Sequence, residues 1–171
     1  MAIQKLGYAF PGERSACYAA DLLLGQYKSA RDKRNREKGK FSYKDIKNIY
    51  VIVLFEKSPV EFHSMEKEYL HKSAWSFDTG LELDLLQNFI FITLDIFQKN
   101  MENKSIDNEL EAWLMFYSTQ DPERIIELIN KYPMFIQMYG DVYEVCRNVE
   151  KEMGMFSEEL RELDRNTVQY M

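Results

Sequence analysis

With 171 residues, 46% of them apolar and 14% aromatic, the chain can build one real core with an appended lobe, which excludes global disorder. A net charge of −6 excludes a uniformly basic nucleic-acid binder but leaves room for a local basic patch. Cys17 and Cys146 match no metal or disulfide spacing and read as buried free thiols. The longest apolar runs, Ile49 to Phe55 and Phe89 to Phe97, are too short to span a bilayer, and the N-terminus lacks a signal-peptide pattern. The expectation is a cytoplasmic protein with no membrane partner.

In chain order, IQKL at the start is strand-like. Phe10-Pro11-Gly12 reads as a turn, since proline presets one backbone angle and glycine relaxes another. From Glu13 to about Arg31 the spacing predicts a helix, with Ala16, Ala19, Ala20, Leu23 and Leu24 on its buried face. RDKRNREKGK, residues 31 to 40, has no apolar periodicity and reads as a solvated helix end and loop. NIYVIVLFE, Asn48 to Glu56, is β-branched, aromatic and continuously apolar, as suits a central strand covered on both faces. Strand, helix, strand across residues 2 to 56 predicts a parallel βαβ unit.

Residues 57 to 80 read as an irregular excursion, followed by an apolar strand at Asn88 to Thr93. The remainder reads as helix. Glu109 to Ser118 is amphipathic, and Asp121 caps the next helix with Pro122 in its first turn. That helix runs to Tyr132, another runs from Met134 to Met155, and a last one begins at the capping residue Ser157.

Several long strings carry a resemblance: IQKLGYAFPGERSACYAADLLLGQYK, FSYKDIKNIYVIVLFEKSP, DPERIIELINKYP and FSEELRELDRNTVQYM. They are similar to the PD-(D/E)XK nuclease family transposases, also called Rpn-family recombination-promoting nucleases, over nearly the whole chain. The resemblance implies an α/β fold, a partial restriction-endonuclease-like core with a small mixed sheet and a parallel βαβ unit, followed by a helical C-terminal lobe. It places the core at residues 1–97 and the lobe at 98–171. It implies DNA as partner and Mg²⁺ as cofactor, because a hard cation held by carboxylates activates water and stabilises charge on the phosphate.

In that family an acidic residue, an apolar residue and a lysine or glutamine run along the strand before this turn. The matching positions here are Ala2, Ile3 and Gln4. Gln4 takes the lysine or glutamine position, where it would help to place the attacking water, and Ala2 stands where the metal-binding acid belongs. The strands with the family aspartate would lie before Met1, so the resemblance reads as an N-terminally truncated member. No metal site of the family type is expected, and Mg²⁺ binding and cleavage are not expected of the chain as written.

The remaining candidates are contacts to DNA. Arg14 and Tyr18, four apart on one helix face, read either as phosphate contacts beside the cleft or as a plain surface pair. Arg31, Lys33, Arg34 and Arg36, with Lys38 and Lys40 behind them, read either as a phosphate-tracking patch or as a solvated face diluted by Asp32 and Glu37. His63 and His71 lie among Glu61, Glu66, Glu68 and Asp78 without metal-ligand spacing. Trp75 and Trp113 read as core anchors. Neither histidine can be placed beside Cys17, and no Ser-His-Asp set is expected. Two functions follow: a metal-dependent endonuclease of a mobile element, or a non-cleaving regulator that binds DNA, a second copy or a full-length relative.

Overall fold

The computed structural model describes residues 2–4 and 10–147, with side chains from 10 to 144. Two compact units are present, Met1–Thr119 and Gln120–Met171.

The first unit is built on a four-stranded mixed sheet. Strands β1 (Ala2–Gln4), β2 (Ile49–Phe55), β3 (Leu70–Lys72) and β4 (Gln87–Thr93) lie in the order β1-β2-β4-β3. β1, β2 and β4 run parallel, and β3 pairs antiparallel with β4. The parallel βαβ unit expected from the sequence is therefore formed, and the most apolar string of the chain becomes an interior strand. β3 falls inside residues 57 to 80, where no strand is expected from the sequence. It is three residues long, below the length at which alternation can be recognised, and it exists through its bonds to β4.

Alternate residues of β2 set the core. Ile49, Val51, Val53 and Phe55 are buried together with Ala19 of helix α1 (Pro11–Arg36), and Leu23, Phe62, Phe89 and Phe91 pack around them. The Phe55 ring lies 5.4 Å from that of Phe62 and 6.1 Å from that of Phe91. Phe62 comes from a 3-10 segment, Val60–Met65, inside the supposed excursion. On the opposite face Leu54 and Ile92 are buried, while Tyr50 is exposed, so β2 is covered on both faces only toward its C-terminal end.

Helix α1 corrects three expectations. Its buried stripe is Ser15 and Ala19, with Leu23, Gln26, Ala30 and Arg34 continuing it half-buried, whereas Ala16, Ala20 and Leu24 face solvent. Small alanines on two adjacent stripes leave the choice of face to packing, and the Leu23 stripe meets β2. The turn also differs: Phe10 carries the left-handed backbone (φ 63°), and Pro11 and Gly12 already belong to the helix. Proline is well placed at a first helical position because its missing N–H has no partner there. Cys17, expected buried, lies exposed on this helix. Cys146 lies outside the described side chains.

Helices α2 (Leu94–Met101) and α3 (Glu109–Ser118) complete the first unit. They pack against each other, and α2 also touches β2. Phe97, Ile106 and Leu114 are buried there, and the Tyr69 and Phe97 rings meet edge to face at 5.1 Å. The α3 start is capped twice: Asn108 Oδ1 accepts the Glu111 N–H, and the Glu111 carboxylate accepts the Asp107 N–H.

In the second unit, α4 (Pro122–Lys131) starts as its sequence predicts, with Asp121 accepting the Glu123 N–H at 3.0 Å. α5 (Met134–Arg147) follows, and Leu128 and Phe135 are buried. The continuation of α5 expected to Met155, and the helix expected from Ser157, lie outside the described residues.

Candidate functional site

Because β1, β2 and β4 are parallel, their C-terminal ends reach one edge of the sheet. Gln4, Phe55 and Thr93 stand in one register row there. In parallel α/β sheets, ligands bind beyond the carboxyl ends of the strands, where connections leave in different directions. Three segments leave this edge: the one toward α1, residues 56–58 toward the 3-10 segment, and α2.

Two of these segments are tied together by side chains. Ser58 Oγ donates to Asp95 Oδ2 at 2.9 Å, and the Ser58 N–H donates to the same oxygen at 3.0 Å. His63 Nε2 lies 3.1 Å from Ser58 Oγ and 3.8 Å from Asp95 Oδ2. With the serine proton given to Asp95, that contact needs a histidine protonated at Nε2. The sequence pattern points to no convergence of serine, histidine and aspartate, yet these three do meet. Their order differs from a nucleophilic relay: the carboxylate binds the serine rather than orienting the ring, and Asp95 Oδ2 already accepts two bonds. Ser58 and Asp95 are visible in the sequence in one respect, since each lies just beyond the end of a parallel strand. A cavity of about 100 Å³, lined by His63, Glu66, Asp95 and Lys99, adjoins the cluster.

The candidates for DNA contact divide into two groups along α1. Arg14 NH2 donates to the Tyr18 hydroxyl at 3.2 Å near the helix start, on the side of the Gln4 row. Arg31 to Arg36 lie at the other end, about 26 Å or more away at 1.5 Å per residue. Arg31 lies 3.9 Å from Asp32, with its guanidinium carbon 5.5 Å from the Tyr27 ring centroid, while Lys33 and Arg36 project into solvent.

Arg34 is different. Its guanidinium grips both Asp45 oxygens, at 3.1 and 2.6 Å. Asp45 also accepts the Ser42 N–H at the start of the short 3-10 turn Tyr43–Asp45. The Arg34 bond and the Ser42 N–H hold the Asp45 carboxyl below its ordinary pKa. A second tie lies two turns back, where the Gln26 side chain accepts the Lys47 N–H at 3.0 Å and donates to the Lys47 carbonyl at 3.2 Å. These bonds fasten the α1–β2 connection to the helix and hold the basic run in place.

Among the described residues, no group of three or more His, Cys, Asp or Glu side chains is placed to hold a metal ion. On β1 the position in register with Val53 is an alanine, whose methyl offers no donor. The described side chains therefore offer no carboxylate set of the kind a hard divalent ion needs. His63 lies on the surface against Ser58, and His71 packs half-buried against Phe62, their ring centroids 5.1 Å apart. Of the two tryptophans, Trp75 is exposed rather than a core anchor, with its indole N–H donating to the Gln87 carbonyl. Trp113 is half-buried and stacks on Tyr117.

The fold and this edge define an α/β protein with a partial restriction-endonuclease-like core and a helical C-terminal lobe. The family model of the PD-(D/E)XK nuclease family transposases matches residues 3–169, and the chain belongs to that family. No curated protein and no solved structure matches it. Among the described residues, no helix is long and apolar enough to cross a membrane.

Proposed function

We propose that this chain acts on DNA as a non-cleaving member of its family, engaging the phosphate backbone without the metal chemistry. The observation that supports the reading is Ala2: β1 lies parallel beside central strand β2, and by the family resemblance its first residue stands at the acidic position of the acid-x-Gln element, where alanine offers only a methyl group. Gln4 retains the polar position of that element. Residues 1–97 would then hold the nuclease-like core and 98–171 the lobe, working in the cytoplasm. On the binding side, Lys33 and Arg36, with Arg31 beside them, face solvent as a phosphate-tracking set, and Arg14 with Tyr18 forms a separate contact near the Gln4 row. Arg34 serves as a positioning residue, because Asp45 occupies its guanidinium.

The test is incubation of the purified chain with supercoiled plasmid in Mg²⁺ and then Mn²⁺, with a chelator control and an Ala2→Glu version alongside. Neither unmodified chain nor chelated control is expected to nick. Metal-dependent nicking by the unmodified chain would sink the reading. Binding is followed separately by titrating duplex DNA at several salt concentrations. Substituting Arg31, Lys33 and Arg36 by alanine should flatten the salt dependence, by roughly 0.9 in slope for each phosphate no longer neutralised. An unchanged slope removes this patch from the interface.

A further inference from the structure

The N-terminal edge of the sheet has a character of its own. Two connections meet there: residues 37–48 between α1 and β2, and residues 73–86 between β3 and β4. The Ile49 N–H donates to the Leu86 carbonyl at 2.6 Å and joins their ends. Across this edge large apolar side chains face solvent: Tyr43 at 79% exposure, Tyr50 at 58%, Trp75 at 51%, Leu81 at 52% and Leu83 at 54%. Scattered single exposures of this kind need no explanation, but four on two adjoining connections, with Tyr50 near the start of β2, form a patch. Trp75 is held in its exposed position, because its indole N–H is bonded to the Gln87 carbonyl at 2.7 Å.

Charge divides this edge into halves. The β3–β4 connection carries Asp78 and Glu82, and the α1–β2 connection carries Lys44 and Lys47, all four exposed. None of the four is held in an ion pair among the described residues. A surface with an apolar middle, an acidic side and a basic side is complementary to itself after a two-fold rotation, which sets each acidic half against the basic half of another copy. Isologous contacts of that kind close on themselves and are the commonest form of oligomer.

We propose that the N-terminal edge of the sheet is the surface through which two copies of this chain associate as a two-fold dimer. Tyr43, Tyr50, Trp75, Leu81 and Leu83 form its apolar centre, and Asp78 and Glu82 of each copy face Lys44 and Lys47 of the other. The C-terminal edge with Gln4, Ser58 and Asp95 stays outside the contact. Association is therefore read without DNA, and its outcome is independent of whether the chain binds or cuts nucleic acid.

The experiment is sedimentation of the full chain over a range of concentrations, for the unmodified protein and two charge-reversed variants. One variant carries Asp78→Lys and Glu82→Lys, the other Lys44→Glu and Lys47→Glu. Asp84 is left alone because its carboxylate accepts the Leu86 N–H. The unmodified chain should sediment at twice its 20.4 kDa mass. Each variant alone should sediment as a monomer, with circular dichroism matching the unmodified chain, and an equimolar mixture should recover the dimer. As a check independent of charge, Leu83→Ser should weaken the unmodified dimer at least tenfold. An unmodified chain that stays monomeric overturns the proposal and assigns the patch to another partner. Variants that remain dimeric, or a mixture that stays monomeric while both variants are folded, overturn it equally.

Discussion

At the C-terminal edge of the sheet the chain turns back through buried and half-buried bonds, whereas at the N-terminal edge it turns through exposed connections fastened only at their roots. Ser58, which is buried, gives both its N–H and its hydroxyl to Asp95, and α2 follows directly on β4. At the other edge the connections are tied to α1 and β2 by Arg34–Asp45, Gln26–Lys47 and Ile49–Leu86, and between those ties they offer Tyr43, Trp75, Leu81 and Leu83 to water. One sheet thus has an edge finished within the chain and an edge finished by something added to it. The separation keeps the Gln4 row and the Arg14–Tyr18 contact apart from the association surface, whereas Arg31, Lys33 and Arg36 lie at the end of α1 that leads into it.

The largest effect should come from the core that both edges share. Phe55 is fully buried and is the last residue of β2, touching Phe62 and Phe91. Phe55→Ala should cost about 3–5 kcal/mol through reduced burial and the cavity left behind. Urea unfolding followed by circular dichroism would show the midpoint falling, and an unchanged midpoint would mean that the cluster is not the core. A smaller effect is expected from Asp95→Ala. It strands the buried Ser58 hydroxyl and N–H, at about 1–3 kcal/mol, and loosens the 3-10 segment against α2. Hydrogen exchange should speed up in residues 56–66 while β2 itself stays protected. Equal acceleration at the N-terminal edge would remove the distinction between the edges.

Much of this arrangement is legible in the sequence because it is written in local pattern. NIYVIVLFE is apolar on both faces and forms the interior strand, and Asp121-Pro122-Glu123 carries its own cap chemistry. What stays hidden depends on contacts distant in sequence. β3 is too short to show alternation and is defined by β4. Ser58 and Asp95 are 37 residues apart, and nothing in either neighbourhood announces the other. Residue type gives only average burial, which places Trp75 and Cys17 inside, yet both fall on surfaces the sheet leaves open. The motif row on β1 is readable only through family resemblance, since Ala2, Ile3 and Gln4 carry no chemistry that would single them out.

The smallest effect concerns the ties at the N-terminal edge, and it is a matter of pH. Asp45 is held below its ordinary pKa by the Arg34 hydrogen bond first, and then by the Ser42 N–H. A group whose pKa is lowered by folding binds its proton more readily when unfolded. Its contribution to stability is therefore complete above the unfolded value of about 3.9 and is lost as pH falls through the lower folded value. The pair is half-buried and still open to solvent on the Arg34 side, so salt should shrink the effect. Asp45→Asn should leave the thermal midpoint close to that of the parent at acid pH and lower it slightly at neutral pH, flattening the acid limb of the pH profile. Added salt should narrow the neutral-pH gap between parent and variant. If the two profiles stay parallel from neutral pH down through the carboxylate range, the Arg34–Asp45 tie does not fasten the basic end of α1. The positioning of Arg31, Lys33 and Arg36 would then have to come from the Gln26–Lys47 bonds alone.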